Sequence, residues 1–301
     1  MMETTLPIEQ EQLDTLLRLA REEDLGTSGD LTSCLLPETA LNAEGAWQLV
    51  ARHGGRFCGK EILPALLESL APAIRLEWIH PAEETHDVGP GGVIARFSGR
   101  TSQMLAAERV ILNFLQHLSG VATLTSRFVA AVVGTHTKIY DTRKTTPGLR
   151  DLERYAVRCG GGHNHRSGLY DAVLIKDNHV AGIPIGRLAH TVFEMLNRIE
   201  ALPVRPAFVE VECDGLDQFD ELLKVVGINL ILLDNFSVPD LRTAVARRDD
   251  AGLRGKVELE SSGETTLQDV RTIAETGVER IAVGAITHSA PVLDLAIDAV
   301  V

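Results

Sequence analysis

Residues able to do chemistry crowd one stretch of this chain, 141-DTRKTTPGLRDLERYAVRCGGGHNHRSGLYDAVLIKDNH-179. Arg143, Lys144, Arg150, Arg154, Arg158, Arg166 and Lys176 fall together there, with His163, His165 and His179 among them. Yet the whole chain carries a formal net charge of −13. Either helix faces and ion pairs absorb these cations, or something anionic binds them. Arginine suits bidentate recognition of carboxylate, and lysine suits point-charge contact. Further on, carboxylates recur inside short apolar runs: Glu210 and Glu212 in VEVEC, Asp234 in LILLDN, Glu258 and Glu260 in VELESSG. Glu212 and Asp234 near Lys144 and Lys176 would suit Mg²⁺, which takes few protein ligands and completes its shell with water and phosphate.

The elements that must position these residues alternate regularly. KIYDT, AVLIKD, AFVEVEC, NLILLDN, GKVELESS and ERIAVGA read as strands. Helical patterns separate them: LRDLERYAVRC, PIGRLAHTVFEMLNRI, LDQFDELLKVV, VPDLRTAVARRD and TLQDVRTIAET. The rhythm predicts parallel βαβ units, which fit a doubly wound sheet or a barrel. All C-terminal strand ends then lie on one face, where Arg143, Lys144, Lys176, Glu212, Asp234, Ser262 and Gly284 converge. A doubly wound sheet uses only the loops beside its switch point, whereas a barrel rings one mouth with every strand end. Functional-looking residues at all the ends favour the barrel. Period-two alternation turns Glu210 and Glu212 to one side, and likewise Glu258, Glu260 and Ser262. Carboxylates inside a barrel need cations or a metal, because unpaired buried charge is costly.

The first part of the chain has mixed α+β character with antiparallel strands expected. Leu13, Leu16, Leu17 and Ala20 sit at helical spacing, and EEDLGTSGDLTS reads as a loop. AWQLVARHGG, a helical EILPALLESLA, LEWIHPA and DVGPGGVIARFSG follow. From Thr101 to Val133 the pattern is helical, with Gly120 a break or a close-packing point, and the domain boundary falls along this helix.

Each feature also has a plainer explanation. Arg150, Arg154 and Arg158 repeat at helical spacing beside Asp151 and Glu153, as a solvated or subunit-facing surface does. His163 and His165 could bind a metal, though hydrogen bonding to a ligand or to backbone is the commoner use. Gly160–Gly161–Gly162 serves either as a helix C-cap with a flexible loop or as a backbone cradle for an anion. Lys176 is a Schiff-base lysine or a phosphate or carboxylate contact. Ser262–Gly263 and Gly284 fall in the last two strand-end loops, where barrels often hold phosphate on backbone N–H groups.

Composition narrows the function class. The chain has 301 residues, 45% of them hydrophobic and 24% charged, enough for one large domain or two unequal ones. Its acidity argues against nucleic acid or an anionic membrane as partner. The four cysteines, Cys34, Cys58, Cys159 and Cys213, form no C-x-x-C pair and no zinc spacing. The N-terminal MMETTLPIEQEQLDTLLRLA has neither a basic nor an apolar leader region, and no apolar run approaches a membrane span. These features read as cytoplasmic.

The order of blocks resembles the quinolinate phosphoribosyltransferase family over nearly the whole chain. The resemblance runs from EEDLGTSGDLTS through AERVILNFLQHLSGVAT, DTRKTTPGLR, GGGHNHRSGLYDAVLIKDNH, VEVEC, LILLDNF and LESSG to VGAITHSAP. Two stretches differ from the family pattern. Asp214–Gly227 is about one residue longer, and Glu264–Thr265 stand where an apolar continuation is commoner.

The resemblance implies an α/β-sandwich N-terminal domain, residues 1–117 with 289–301 returning to it, and an incomplete six- to seven-stranded parallel α/β barrel over 118–288. It implies decarboxylating transfer between quinolinate and phosphoribosyl pyrophosphate with Mg²⁺, giving nicotinate mononucleotide, CO₂ and pyrophosphate in NAD biosynthesis. By the same resemblance, Arg143, His165, Arg166 and Lys176 hold the ring dicarboxylate. Arg109 reaches it from a neighbouring subunit of a homodimer or hexamer of dimers. Lys144, Lys176, Glu212, Asp234 and Asn235 surround the phosphoribosyl pyrophosphate and its metal, with Lys144, Glu212 and Asp234 catalytic. Ser262, Gly263, Gly284 and His288 hold the 5′-phosphate. The rivals are a same-fold transferase for another acid, a Schiff-base lyase using Lys176, and a ligand-binding regulator on a dead enzyme.

Overall fold

The computed structural model describes residues 6–80 and 85–300. Met1–Thr5, which begin the segment read for a leader, Pro81 and Ala82 of the LEWIHPA run, and Val301 lie outside the described residues. In chain order the first elements are α1 (Gln10–Leu25), α2 (Glu38–Leu41), β1 (Glu44–Ala51), β2 (Gly55–Phe57), α3 (Leu63–Leu70), β3 (Arg75–Trp78), β4 (His86–Val88), β5 (Val93–Arg100) and α4 (Thr101–Ala131). Then come β6 (Lys138–Tyr140), α5 (Arg150–Cys159), β7 (Val173–Ile175), α6 (Ile185–Leu196), β8 (Val209–Cys213), α7 (Leu216–Leu222) and β9 (Leu230–Asp234). The last are α8 (Val238–Asp250), β10 (Glu258–Ser262), α9 (Val270–Ala274), β11 (Arg280–Ala282), α10 (Ala285–His288) and β12 (Leu295–Ala299). Among the described residues no helix is long and apolar enough to cross a membrane.

The chain divides into two compact units, one of Met1–Ser126, Thr145–Gly161 and Ala290–Val301, the other of Arg127–Lys144 and Gly162–Ser289. The first unit holds an antiparallel sheet in the order β12-β1-β5-β3. Leu49, Ile94 and Phe97 from its strands are buried, as are Leu13 and Leu17 of α1 and Leu63, Leu66 and Leu67 of α3. α4 runs through Gly120 without interruption. A Cβ at Gly120 would collide with the Pro291 carbonyl, so this glycine permits close packing rather than a break. α5 belongs to this unit by compactness, although its place in the βα rhythm assigns it to the barrel. The rhythm orders helices along the chain and carries no information on which body buries them.

The second unit holds the six predicted strands, all parallel, in the order β6-β11-β10-β9-β8-β7. β6 and β7 do not pair with one another, which leaves the barrel incomplete. The segment after Gly162 runs beside β6 instead: His163 donates its N–H to Ile139 O at 2.8 Å and accepts from Asp141 N at 3.0 Å. The register pairs Glu210 and Glu258 with Leu230, Glu212 and Glu260 with Leu232, and Ser262 with Asp234. Partners in a parallel ladder share a face, so this polar row is the inner face. Ile139, Val211, Ile231, Leu233, Leu259 and Ile281 face the other way and are buried.

Candidate active site

At the bottom of the inner face, Arg280 Nε lies 2.5 Å from Glu258 Oε2 and its guanidinium stands 4.6 Å from the Tyr140 ring centroid. His163 stacks on the other side of this layer, its ring 5.3 Å from that of Tyr140. Burial, with the charges of Lys138 and Arg280, holds the His163 pKa below the usual imidazole range.

The middle layer is His165 between two carboxylates. Its Nε2 lies 3.0 Å from Glu210 Oε2 and 3.3 Å from Glu260 Oε1, and both glutamates are completely buried. Both contacts are at ion-pair distance. The three ligand atoms lie within 4.8 Å of one another, a spacing open to a metal ion, and His163 is not part of the group. Burial and the charge of Glu210 push the Glu260 carboxyl up to about 7, against the pull of His165. For His165, burial disfavours the charged ring, but hydrogen bonding and charge from the two glutamates outweigh it and raise the pKa to about 10. The Arg166 backbone works against that second ring proton, because its N–H donates to Nδ1 at 2.8 Å. That amide contact requires a lone pair on Nδ1.

Above this layer opens a cavity of about 380 Å³. Its lining includes Arg143, Lys144, His165, Arg166, Lys176, Glu212, Asp234 and Ser262, with Leu174, Leu232 and Ala282 as apolar wall. Side chains separated by more than a hundred residues thus meet at the strand ends, as the barrel reading requires. Arg166 is buried, and burial together with the nearby Arg143 charge lowers its proton affinity. Two guanidiniums lining one cavity suit a dianion. Lys176 Nζ is 3.1 Å from Glu212 Oε2. Lys144 is exposed, and its carbonyl accepts the Thr287 hydroxyl at 2.7 Å.

The remaining expected residues flank this cavity or lie elsewhere. Asn235 follows β9 in the left-handed region, φ 54°, with its amide 2.9 Å from Asp234 Oδ2 and its N–H donated to Ser262 O. Gly263 follows β10 at φ 141°, where a Cβ would stand 2.7 Å from Asn235 Oδ1. A Cβ at Gly284 would stand 3.1 Å from both Lys144 Cδ and His288 Nε2. His288 is exposed, its Nδ1 2.6 Å from Ser289 Oγ. Arg109 belongs to the first unit and is exposed on α4. Of the helical arginines, Arg158 is exposed, whereas Arg150 and Arg154 are half-buried and Arg150 Nε donates to Thr145 Oγ1 at 3.1 Å.

Asp141 has no role assigned from sequence, yet it is completely buried beside the cavity. Its Oδ1 accepts the His165 N–H and its Oδ2 the Asn164 amide, both at 2.6 Å. Strand parity flagged Glu210 and Glu260 as interior carboxylates, but nothing in their spacing pointed to His165 as the partner.

Fold and site together define an α/β-barrel protein whose C-terminal strand ends surround a cavity lined by Arg143, Lys144, Arg166 and Lys176. The pattern of the quinolinate phosphoribosyl transferase C-terminal domain matches residues 121–298, and that of the N-terminal domain matches residues 30–119. The chain belongs to the quinolinate phosphoribosyltransferase family. It is 40% identical to the nicotinate-nucleotide pyrophosphorylase [carboxylating] of Mycobacterium leprae, over 94% of this chain and 95% of that one. It is 38% identical to a probable enzyme of the same name from Bacillus subtilis, over 95% and 93%. The solved nicotinate-nucleotide pyrophosphorylase of Francisella tularensis superposes with a TM-score of 0.83 at 34% identity, covering 97% of this chain and 98% of that one.

Proposed function

We propose that this protein transfers the phosphoribosyl group of phosphoribosyl pyrophosphate to quinolinate with loss of CO₂, yielding nicotinate mononucleotide and pyrophosphate for NAD biosynthesis. The observation that carries the reading is the cavity itself. Arg143, Arg166, Lys144 and Lys176 meet Glu212 and Asp234 there, in a chain whose relatives bear this activity in their names. At ~4 Å and an effective dielectric of ~20, two unit charges interact by about 4 kcal/mol, so clustered cations that repel one another favour bound dianions on the same scale.

In this reading Arg143 and Arg166 meet the two ring carboxylates, with Lys176 beside them. Lys144, Asn235, Ser262, Gly263, Gly284 and His288 surround the phosphates. Departure of pyrophosphate leaves an oxocarbenium-like ribose C1, whose positive charge Glu212 and Asp234 stabilise. The pyridine nitrogen attacks C1 through its own lone pair, so no general base is required. The quaternised nitrogen then stabilises the ring carbanion formed as the adjacent carboxylate leaves as CO₂, and a proton completes the product.

Glu212 and Asp234 fit Mg²⁺ by donor chemistry: they are oxygen ligands, close to a phosphate site and accessible to water. When bound, Mg²⁺ would supply charge neutralisation for the departing pyrophosphate. Arg109 fits a contribution in trans within a homodimer, or a hexamer of dimers. It is exposed on α4 one turn beyond Leu105, an apolar side chain that is itself 39% exposed. The acidic composition and unpatterned cysteines support a cytoplasmic protein. The Schiff-base alternative is disfavoured because Lys176 is half-exposed and paired with a carboxylate, not desolvated. Incubating the protein with Mg²⁺, quinolinate and phosphoribosyl pyrophosphate should release CO₂ and form nicotinate mononucleotide. Arg143→Ala should abolish detectable turnover, and near-normal kcat/KM in that variant would sink the assignment.

A further inference from the structure

His165 differs from the arginines and lysines at the cavity. Its Nε2 faces Glu210 and Glu260 at 3.0 and 3.3 Å, and its Nδ1 accepts the Arg166 N–H at 2.8 Å. Its own N–H is held by Asp141 at 2.6 Å. Tyr140 and Phe208 meet the ring at 82° and 88°. Every polar atom of the imidazole is thus turned to the protein. A ligand carboxylate could reach Nε2 only by displacing a buried carboxylate of like charge. At Nδ1 it would meet a lone pair already occupied by an amide.

We propose that His165 and Asp141 are positioning residues: together they form a strut from the barrel interior to the backbone of Arg166, and so fix where that guanidinium stands beside Arg143. The proposal takes its ligand from the quinolinate reading, but the hydrogen-bond assignment is independent of it.

Proton placement follows from the same geometry. The Arg166 N–H points at Nδ1 from 2.8 Å, and the two glutamate carboxylates face Nε2. A proton on Nδ1 would oppose that N–H head-on. The ring is therefore the neutral tautomer with its hydrogen on Nε2, aimed at the two carboxylates.

The test is the imidazole nitrogen spectrum of the full-length protein labelled with ¹⁵N-histidine, with the His165 signals assigned by their loss in His165→Gln. The expected result is a pyridine-like Nδ1 and a pyrrole-like Nε2, unmoved by saturating quinolinate. Two pyrrole-like nitrogens, a metal-shifted Nε2, or an Nδ1 that moves on adding quinolinate would overturn the proposal. Kinetics supply a second readout. Asp141→Asn keeps the shape but cannot accept both the His165 and Asn164 donors. It should raise KM for quinolinate by ~10-fold while leaving KM for phosphoribosyl pyrophosphate within about twofold. An equal rise in both constants, or in neither, counts against a role through Arg166. Failure of the wild-type protein to turn over these substrates would instead refute the functional reading and leave the nitrogen spectrum standing.

Discussion

Lys176 and Glu212 form one ion pair across the cavity, Nζ to Oε2 3.1 Å, although the functional reading gives them different tasks. The lysine side chain is 45% exposed and the glutamate 12%, so the pair contributes only about 1 kcal/mol to folding. Glu212→Gln should therefore shift Tm by no more than a few degrees. Its effect on kcat should be far larger, ~100-fold or more, because a carboxylate facing developing positive charge acts mainly in the transition state. Thermal melting and steady-state kinetics on the same preparation check this. A large Tm loss with normal kcat would make Glu212 a structural residue.

The shared cavity of Arg143 and the buried Arg166 predicts that a dicarboxylate stabilises the fold. A ligand at ~100 times its Kd adds about 2.7 kcal/mol, which should raise Tm by several degrees. Quinolinate should do so in the wild type and not in Arg143→Ala. A pyridine monocarboxylate at the same concentration should do so less. Equal shifts with mono- and dicarboxylate would mean that the two arginines do not act as a pair.

Gly263 and Asn235 couple the loops after β10 and β9. Gly263→Ala places a Cβ at φ 141° and 2.7 Å from Asn235 Oδ1. The backbone strain costs about 1 kcal/mol or more, and Asn235 must also turn away. The expected outcome is a KM for phosphoribosyl pyrophosphate raised ~10-fold or more, with KM for quinolinate little changed. Steady-state kinetics with each substrate varied in turn measures both. A change confined to quinolinate would detach this loop from the phosphate side.

The six barrel strands were legible because each is a short apolar run bounded by turn residues. The strand-end cations were legible because parallel strands present all their C-terminal ends together. Parity exposed Glu210 and Glu260 as interior carboxylates because side chains alternate faces along a strand. What spacing could not supply was the partner. His165 lies far from both in sequence, on a segment that is neither helix nor named strand, and only its pairing beside β6 carries it inward. Asp141 was illegible for a related reason. As the last residue before the TRKT block it reads as one more polar strand end, and its value lies in two donors from a loop beyond α5. The assignment of α5 to the first unit likewise rests on which apolar faces meet, a tertiary fact that no periodicity contains.

The proton shared by His165, Glu210 and Glu260 gives stability a pH signature that locates it. Burial and Glu210 hold the folded Glu260 pKa at about 7, above the unfolded carboxylate value of about 4.3. Below the unfolded value both states carry the proton and the stabilising contribution is complete. As pH rises toward about 7 the unfolded chain has released the proton while the folded one retains it, and the contribution is lost. Glu260→Gln keeps the shape and removes the titration. Relative to that variant, the wild type should lose Tm between roughly pH 4.5 and 7 and then stay level. If His165 held the second proton instead, its raised pKa of about 10 would move the loss to the interval from roughly pH 6.5 to 10. Paired melting curves across pH 4.5–10 distinguish the two, because the windows barely overlap. A difference that falls only above pH 7 would place the proton on the imidazole, and Nδ1 would then have to turn away from the Arg166 amide.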